Sequence, residues 1–192
     1  MTHPSADLTR QRLIRAALEL FTTKGYHDTT TAQIAKKAGI AEGTIYRHFA
    51  SKQQLANEIY RAAQRWAAKV VHDAAHDPAA GAARQLTAVA HQLMEGAARD
   101  TAIVKLGLLD SLDAILDDES RRTEREFRVA IERVIAEGKA QNTVRAGAVE
   151  IWSAVWLAAI SPALHKIVAG DWKPGDAGVR LVIEAAWKSI SA

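Results

Sequence analysis

The chain has 192 residues, with 25 basic and 22 acidic side chains, no cysteine and 48% apolar residues. That length admits one large domain, or a small domain beside a larger one, and the apolar share excludes a mainly disordered chain. The lack of cysteine excludes a disulfide scaffold, a thiolate-bound zinc and a cysteine nucleophile.

Met1 to Gln11 is polar and carries no apolar signal core, so a cytoplasmic location is expected. From there the apolar periodicity is helical almost everywhere, with no sustained alternation of the kind strands show. Leu13, Ile14, Ala17, Leu18, Leu20 and Phe21 line one face of a first helix that stops at Gly25. Thr30 opens a second, with Gln33 placed for a capping box and Gly39 as its end. A third, very short helix is expected over about 43–49, where Ile45 and Phe49 share a face. Ser51 and Gln54 form another capping box, opening a long helix to about His76, with Pro78 marking the break.

Further helices are expected near 79–99, 101–116, 118–140, 147–169 and 176–190. Turn chemistry falls between them, at Asn142, Gly147, Gly170-Asp171 and Pro174-Gly175-Asp176. Ile151 to Leu164 is uncharged, but it is too short and too interrupted by Pro162 for a membrane span, so no membrane partner is expected. The fold class is therefore all-α: an N-terminal three-helix unit followed by a larger helical bundle.

Charge is uneven along this plan. Residues 1–61 carry nine basic and five acidic side chains, an excess of four, and the remainder is one unit negative. A polyanion contact is therefore to be sought in the first third.

Within that third, two short helices meet at a tight glycine turn, which makes a helix-turn-helix. Ala35 is small where the helices approach, Gly39 permits the positive φ of the turn, and Ile40 fills the corner. Ile45 and Phe49 pin the second helix, leaving Thr44, Tyr46, Arg47 and His48 outward, a face suited to base edges and phosphates. A plain helical hairpin with a polar outside has the same apolar spacing.

Residues 9–60 resemble the DNA-binding domain of the TetR/AcrR family of transcriptional regulators. The matching segments are Ile14-Arg15-Ala16-Ala17, Leu20-Phe21, Gly25, Thr30 through Gly39, Gly43-Thr44-Ile45-Tyr46-Arg47-His48-Phe49, Ser51-Lys52 and Leu55. One departure is Ala41, where the family often has Ser or Thr to cap the recognition helix. The resemblance implies a DNA-binding domain over residues 1–50 and a ligand-binding and dimerisation domain over 51–192, linked by the helix from 51.

It also implies roles for matching residues. Gly43, Thr44, Tyr46 and Arg47 would face the major groove. Tyr46, His48 and Lys52 would contact phosphates, with Thr30 or Gln33 at the preceding helix start. Packing against the fourth helix is the alternative for Tyr46, and a structural role is the alternative for His48.

One recognition helix per chain calls for a homodimer on double-stranded DNA. The stripe Val179, Val182, Ile183, Ala186, Trp187 and Ile190 is the expected interface, with Val149, Trp152, Val155, Trp156 and Ile160 in the helix before. Burial of both stripes inside one subunit is the alternative, and part of each must pack there. The family further implies an effector pocket among the middle helices. Its candidate lining is Trp66, Val70, His91, Met94, Leu108 and Leu109, continued by Leu112, Phe127, Ile131, Trp152 and Trp156. Plain core is the alternative for each, and Gly107 hints at a close approach or a bend. With few charges among them, a small, mainly apolar effector is expected.

The expected function is a ligand-responsive dimeric regulator, most simply a repressor released from a palindromic operator. A DNA-anchored factor whose large domain docks a protein is the alternative. No phosphate-binding glycine loop or nucleophile motif points to an enzyme, and no cofactor is expected. His72 and His76 share a helix face, but with only Asp73 or Asp77 nearby they read as a solvated helix end and not as a metal site.

Overall fold

In the computed structural model, which describes residues 4–192, the first helix, α1, spans Pro4–Lys24. Met1–His3, the start of the expected DNA-binding domain, lie outside the described residues. Leu13, Ala16, Ala17, Leu20 and Phe21 recur every three or four positions, and α1 buries all five. The helix stops at Gly25, whose φ of +88° is the left-handed conformation that suits glycine.

Helix α2 (Thr31–Ala38) begins with a complete capping box. Thr30 Oγ1 accepts from the Gln33 N–H at 3.2 Å, and Gln33 Oε1 accepts from the Thr30 N–H at 3.1 Å. It ends at Gly39, with φ +66°. Helix α3 (Glu42–Ile45) is shorter than the expected span over 43–49. Tighter turns continue it: Arg47 N–H donates to Thr44 O at 3.1 Å and His48 N–H to Ile45 O at 3.0 Å. They deliver Phe49 into the core. No side chain caps α3, because Ala41 stands at its N-cap.

Helix α4 (Lys52–Ala74) starts at Ser51, whose Oγ accepts from the Gln54 N–H at 3.0 Å. The return bond of the expected capping box is displaced by one residue, since Gln54 Oε1 accepts from Ala50 N–H at 2.5 Å. Leu55, Ala56 and Ile59 pack with Leu13, Phe21, Ile34, Ile45 and Phe49 in the core of the three-helix head. Further along, Ala67, Val70 and Val71 join the core of the larger bundle. One continuous helix therefore belongs to both cores.

A single 3₁₀ turn, Pro78–Ala80, follows, capped by Asp77. The bundle is completed by α5 (Gly81–Arg99), α6 (Thr101–Val104), α7 (Asp118–Ala140), α8 (Val149–Val168) and α9 (Ala177–Ile190). Among the described residues there is no strand, only an isolated bridge between Val144 and Ser191. Pro162 does not interrupt α8, which is continuous through it.

The helix expected over 101–116 is present only in its first half. After α6 the chain widens into a π-helical turn, Lys105–Leu109, and then leaves helical geometry at Asp110. Gly107 permits a close approach within this turn. A Cβ there would lie 2.2 Å from Ala63 Cβ, so the turn is pressed onto α4. Side chains of α4 then hold the irregular stretch. Gln53 and Asn57 donate to Ile115 O at 2.7 and 2.8 Å, and Asp117 N–H donates to Asn57 Oδ1 at 2.9 Å.

The stripe of α9 is helical but faces inward. Val179, Ile183, Ala186 and Ile190, with Ile160 of α8, are buried within the subunit, so these five expected interface residues are core. Val155, Val182 and Trp187 are half-buried at the edge of that core. A strong stripe is what a helix needs to pack in its own bundle, and here that is its use.

Candidate nucleic-acid interface and ligand cavity

The helix-turn-helix leaves an exposed face whose side chains contribute little to the core. Ile45 and Phe49 are buried, which turns Gly43, Tyr46 and Arg47 outward. Tyr46 is 56% exposed, so most of its ring faces outward. Its hydroxyl shares a hydrogen bond with Thr31 Oγ1 at 3.1 Å, tying α3 to the first turn of α2. Among the described residues the Arg47 side chain makes no hydrogen bond or ion pair, and Thr44 and His48 are half-buried at the rim. A Cβ on Gly43 would meet nothing within 4 Å, so nothing in the subunit demands a glycine there.

Lys52 is placed differently from a free phosphate ligand. Its ammonium donates to Tyr26 O and Thr29 O, both at 2.7 Å, and lies 4.2 Å from the centre of the Tyr26 ring. Burial pulls that ammonium below its usual range, with Asp28 opposing the shift. Thr30 and Gln33 spend their side chains on each other at the N-terminus of α2. Two more head cations are paired, Arg10 with Glu58 and Lys37 with Glu19.

A cavity of about 380 Å³ lies in the larger bundle between α4, the π-helical turn, α7 and α8. Of the expected lining, Leu108, Leu109, Leu112 and Phe127 reach it. The others do not, for reasons of packing. Met94, Ile131 and Trp156 are fully buried core, and Val70 is nearly so. Trp66 lies on Gly96, where a Cβ would come within 2.1 Å of its ring. Trp152 packs on Gly147 and donates to Ala146 O at 3.2 Å, while His91 faces solvent.

Sequence reasoning missed the polar part of this lining: Tyr60, Gln64, Asp110, Asp113, Glu124 and Arg128. Gln64 is 3% exposed. Its Nε2 donates to Gly107 O at 2.8 Å, and its Oε1 has no partner. Burial, aided by Glu124, pushes the Tyr60 hydroxyl up to about 12, against a weaker opposing effect of Gln64, so the phenol stays neutral. One signal was available. Gln64 interrupts the apolar positions Ile59, Ala63 and Ala67 of α4, and a buried amide there needs a partner.

A second cavity, of about 600 Å³, separates the α1–α2 loop of the head from residues 106–115. The segment from Leu109 to Asp113 borders both cavities.

The fold joins a helix-turn-helix with an exposed polar face, through one continuous helix, to a bundle that holds a cavity. Residues 13–59 match the family described as bacterial regulatory proteins, tetR family. The HTH-type transcriptional regulator SrpR of Pseudomonas putida is 43% identical over 63 residues, which are 33% of this chain and 30% of that protein. The match spans less than half the length of the curated relatives considered.

The whole fold is shared more widely. A TetR family transcription regulator from Marinobacter aquaeolei VT8 superposes with a TM-score of 0.81 at 17% identity, over 96% of each chain. The fatty acid degradation regulator FadR of Bacillus halodurans does so with 0.75 at 18% identity, over 92% of this chain and 97% of that one. Residues 13–59 therefore carry a tetR-family DNA-binding domain, and the chain as a whole shares the fold of these solved TetR family proteins.

Proposed function

We propose that this chain is a cytoplasmic transcriptional regulator, acting as a repressor, that binds a palindromic operator as a homodimer and is released by a small molecule. The observation that carries this reading is the outward face of Gly43, Tyr46 and Arg47, of which the fold engages only the Tyr46 hydroxyl. Arg47 reads base edges, and the bare backbone at Gly43 lets α3 approach the groove floor. Tyr46, held by Thr31, and His48 contact phosphates, with Thr30 and Gln33 presenting the first turn of α2 to the same strand. Lys52 supports this surface by anchoring the α1–α2 loop, in place of a direct phosphate contact.

Two recognition helices require a dimer, and α8 and α9 carry the surface for it. Alpha-8 is long and apolar enough, by length and composition alone, to cross a membrane, yet only a third of it is buried in the subunit. Ile151, Ala154 and Ala158 on α8 and Leu181 and Ala185 on α9 are exposed. A second copy covers this face more simply than a lipid phase does, because Trp156, Ile160 and Leu164 commit the other side of α8 to the core.

A concave, half-open cavity of about 380 Å³ favours a small molecule over a docked protein as the trigger. An occupant bears on the segment from Leu109 to Asp113, and the second cavity gives that segment room to yield toward the head. Selection of bound duplexes from a random pool, followed by a screen for compounds that release the selected site, tests this function. A palindromic consensus with half-sites about one helical turn apart supports it. Enrichment of no sequence removes it.

A further inference from the structure

The cavity is apolar over much of its wall, with Leu93, Leu108, Leu109, Phe127, Ile160 and Leu164 contributing. Its polar groups are not a neutral trim. Asp110, Asp113 and Glu124 line it against one cation, Arg128. Arg128 is itself 3.7 Å from Glu124, so part of its charge is already answered within the wall.

At the buried end stands Gln64. Its amide nitrogen is fixed on the Gly107 carbonyl, which can only accept, so the orientation of the amide is set by its partner. The oxygen that results is buried and unpartnered. An acceptor in that state has lost its water without gaining a donor, and an occupant that donates to it recovers the difference.

We propose that the cavity takes an amphipathic amine: an apolar body bearing a protonated nitrogen with at least one N–H, which donates to Gln64 Oε1 within reach of the carboxylates of Glu124 and Asp110. This rests on the reading of the cavity as the effector site and names the chemistry that site selects. The surplus of carboxylates favours a cation, and the orphaned acceptor requires a donor. The Tyr60 phenol, neutral across the physiological range, adds a dipole and a ring face without competing charge. A carboxylate ligand of the same shape would meet Asp110, Asp113 and Glu124 with like charge and would have no proton for Gln64.

Four probes on one 4-phenylbutyl body test this with the full chain: the primary ammonium, the trimethylammonium, the alcohol and the carboxylate. Calorimetric titration is expected to rank the primary ammonium first, about tenfold or more tighter than the carboxylate. Gln64→Leu should cost the primary ammonium about tenfold and leave the trimethylammonium unchanged, because only the former donates to the amide. Glu124→Gln should weaken both cations, and circular dichroism melting checks that each variant is folded. Preference for the carboxylate, equal loss of both cations in Gln64→Leu, or no binding by any probe overturns the proposal. Release of DNA is measured separately. Tight binding of the ammonium without release keeps the ligand chemistry and removes the regulatory role of the cavity.

Discussion

Arg61 of α4 places Nη1 at 3.1 and 2.9 Å from the two carboxylate oxygens of Asp117, the N-cap of α7, and at 3.1 Å from Ser120 Oγ. Arg61 is nearly buried, while the Asp117 side chain is 43% exposed. The pair joins the helix that carries the head to the start of α7, four residues beyond the segment bordering both cavities. Removing the carboxylate leaves a nearly buried guanidinium with the Ser120 hydroxyl and one remaining carboxylate, Glu119, at 3.6 Å. Asp117→Ala should cost about 2 kcal/mol, below the full value of a buried pair because solvent screens the exposed oxygen. Chemical denaturation measures it.

The same carboxylate sets a pH dependence. Burial works to raise its pKa, but hydrogen bonds from Ser120 and Arg61 and the Arg61 charge outweigh burial, and the folded value lies below the usual 3.8. A depressed folded pKa gives stability that is present above the unfolded value and lost as pH falls through the folded one. Wild type should therefore lose stability below about pH 4 more steeply than Asp117→Asn does. Parallel acid melting curves for the two proteins would remove this contribution.

Gly107 and Ala63 meet where a Cβ would stand 2.2 Å from a methyl group. Gly107→Ala should destabilise the protein by about 1–3 kcal/mol. Ala63→Gly in the same chain should restore part of the loss by removing the clashing atom, after allowance for the cost of a glycine within α4. Thermal melts of the single and double variants check this, and additive losses would contradict the contact.

Lys52 tethers the loop between α1 and α2 through Tyr26 and Thr29. Lys52→Met should lower the stability of the chain by about 1–3 kcal/mol, the range for charge-assisted bonds. At temperatures where the variant is folded, the salt dependence of DNA binding should match wild type. A slope smaller by about one would return Lys52 to a direct phosphate contact.

The two faces of α9 separate folding from assembly. Leu181 is 65% exposed, whereas Ile183, two residues on, is buried. Leu181→Glu should give a folded monomer in sedimentation, and Ile183→Ala should instead lower the melting temperature with a cost of about 2–5 kcal/mol. A Leu181→Glu protein that still sediments as a dimer would move the interface elsewhere.

Local signals in the sequence were strong where local chemistry decides the structure. Thr30 with Gln33 and Gly39 fixes both ends of α2 because capping and positive φ depend on neighbouring residues alone. The stripe of α9 marked a helix with one covered face, but a period of 3.6 cannot say whether the cover is the same subunit or another. Residues 110–117 were unreadable as a loop because their partners, Gln53, Asn57 and Arg61, lie more than fifty positions earlier. The cavity was misread for the same reason. Trp and Met were named for size, yet Trp66 and Trp152 are spent covering glycines, and the wall is built from the leucines of an irregular turn and polar groups of α4 and α7.

The most direct test of the account is the affinity of Gly43→Ala and Arg47→Ala for a selected operator and for a random duplex of equal length. Both positions are exposed and unpartnered, so melting temperatures should stay at or slightly above that of wild type, with up to about 1 kcal/mol gained from alanine in α3. Operator binding should fall about tenfold or more in each variant, while random-duplex binding in Gly43→Ala stays unchanged and in Arg47→Ala weakens only by the loss of one charge. Equal losses on operator and random DNA, or no loss on either, would contradict the assignment of this face as the reader of sequence.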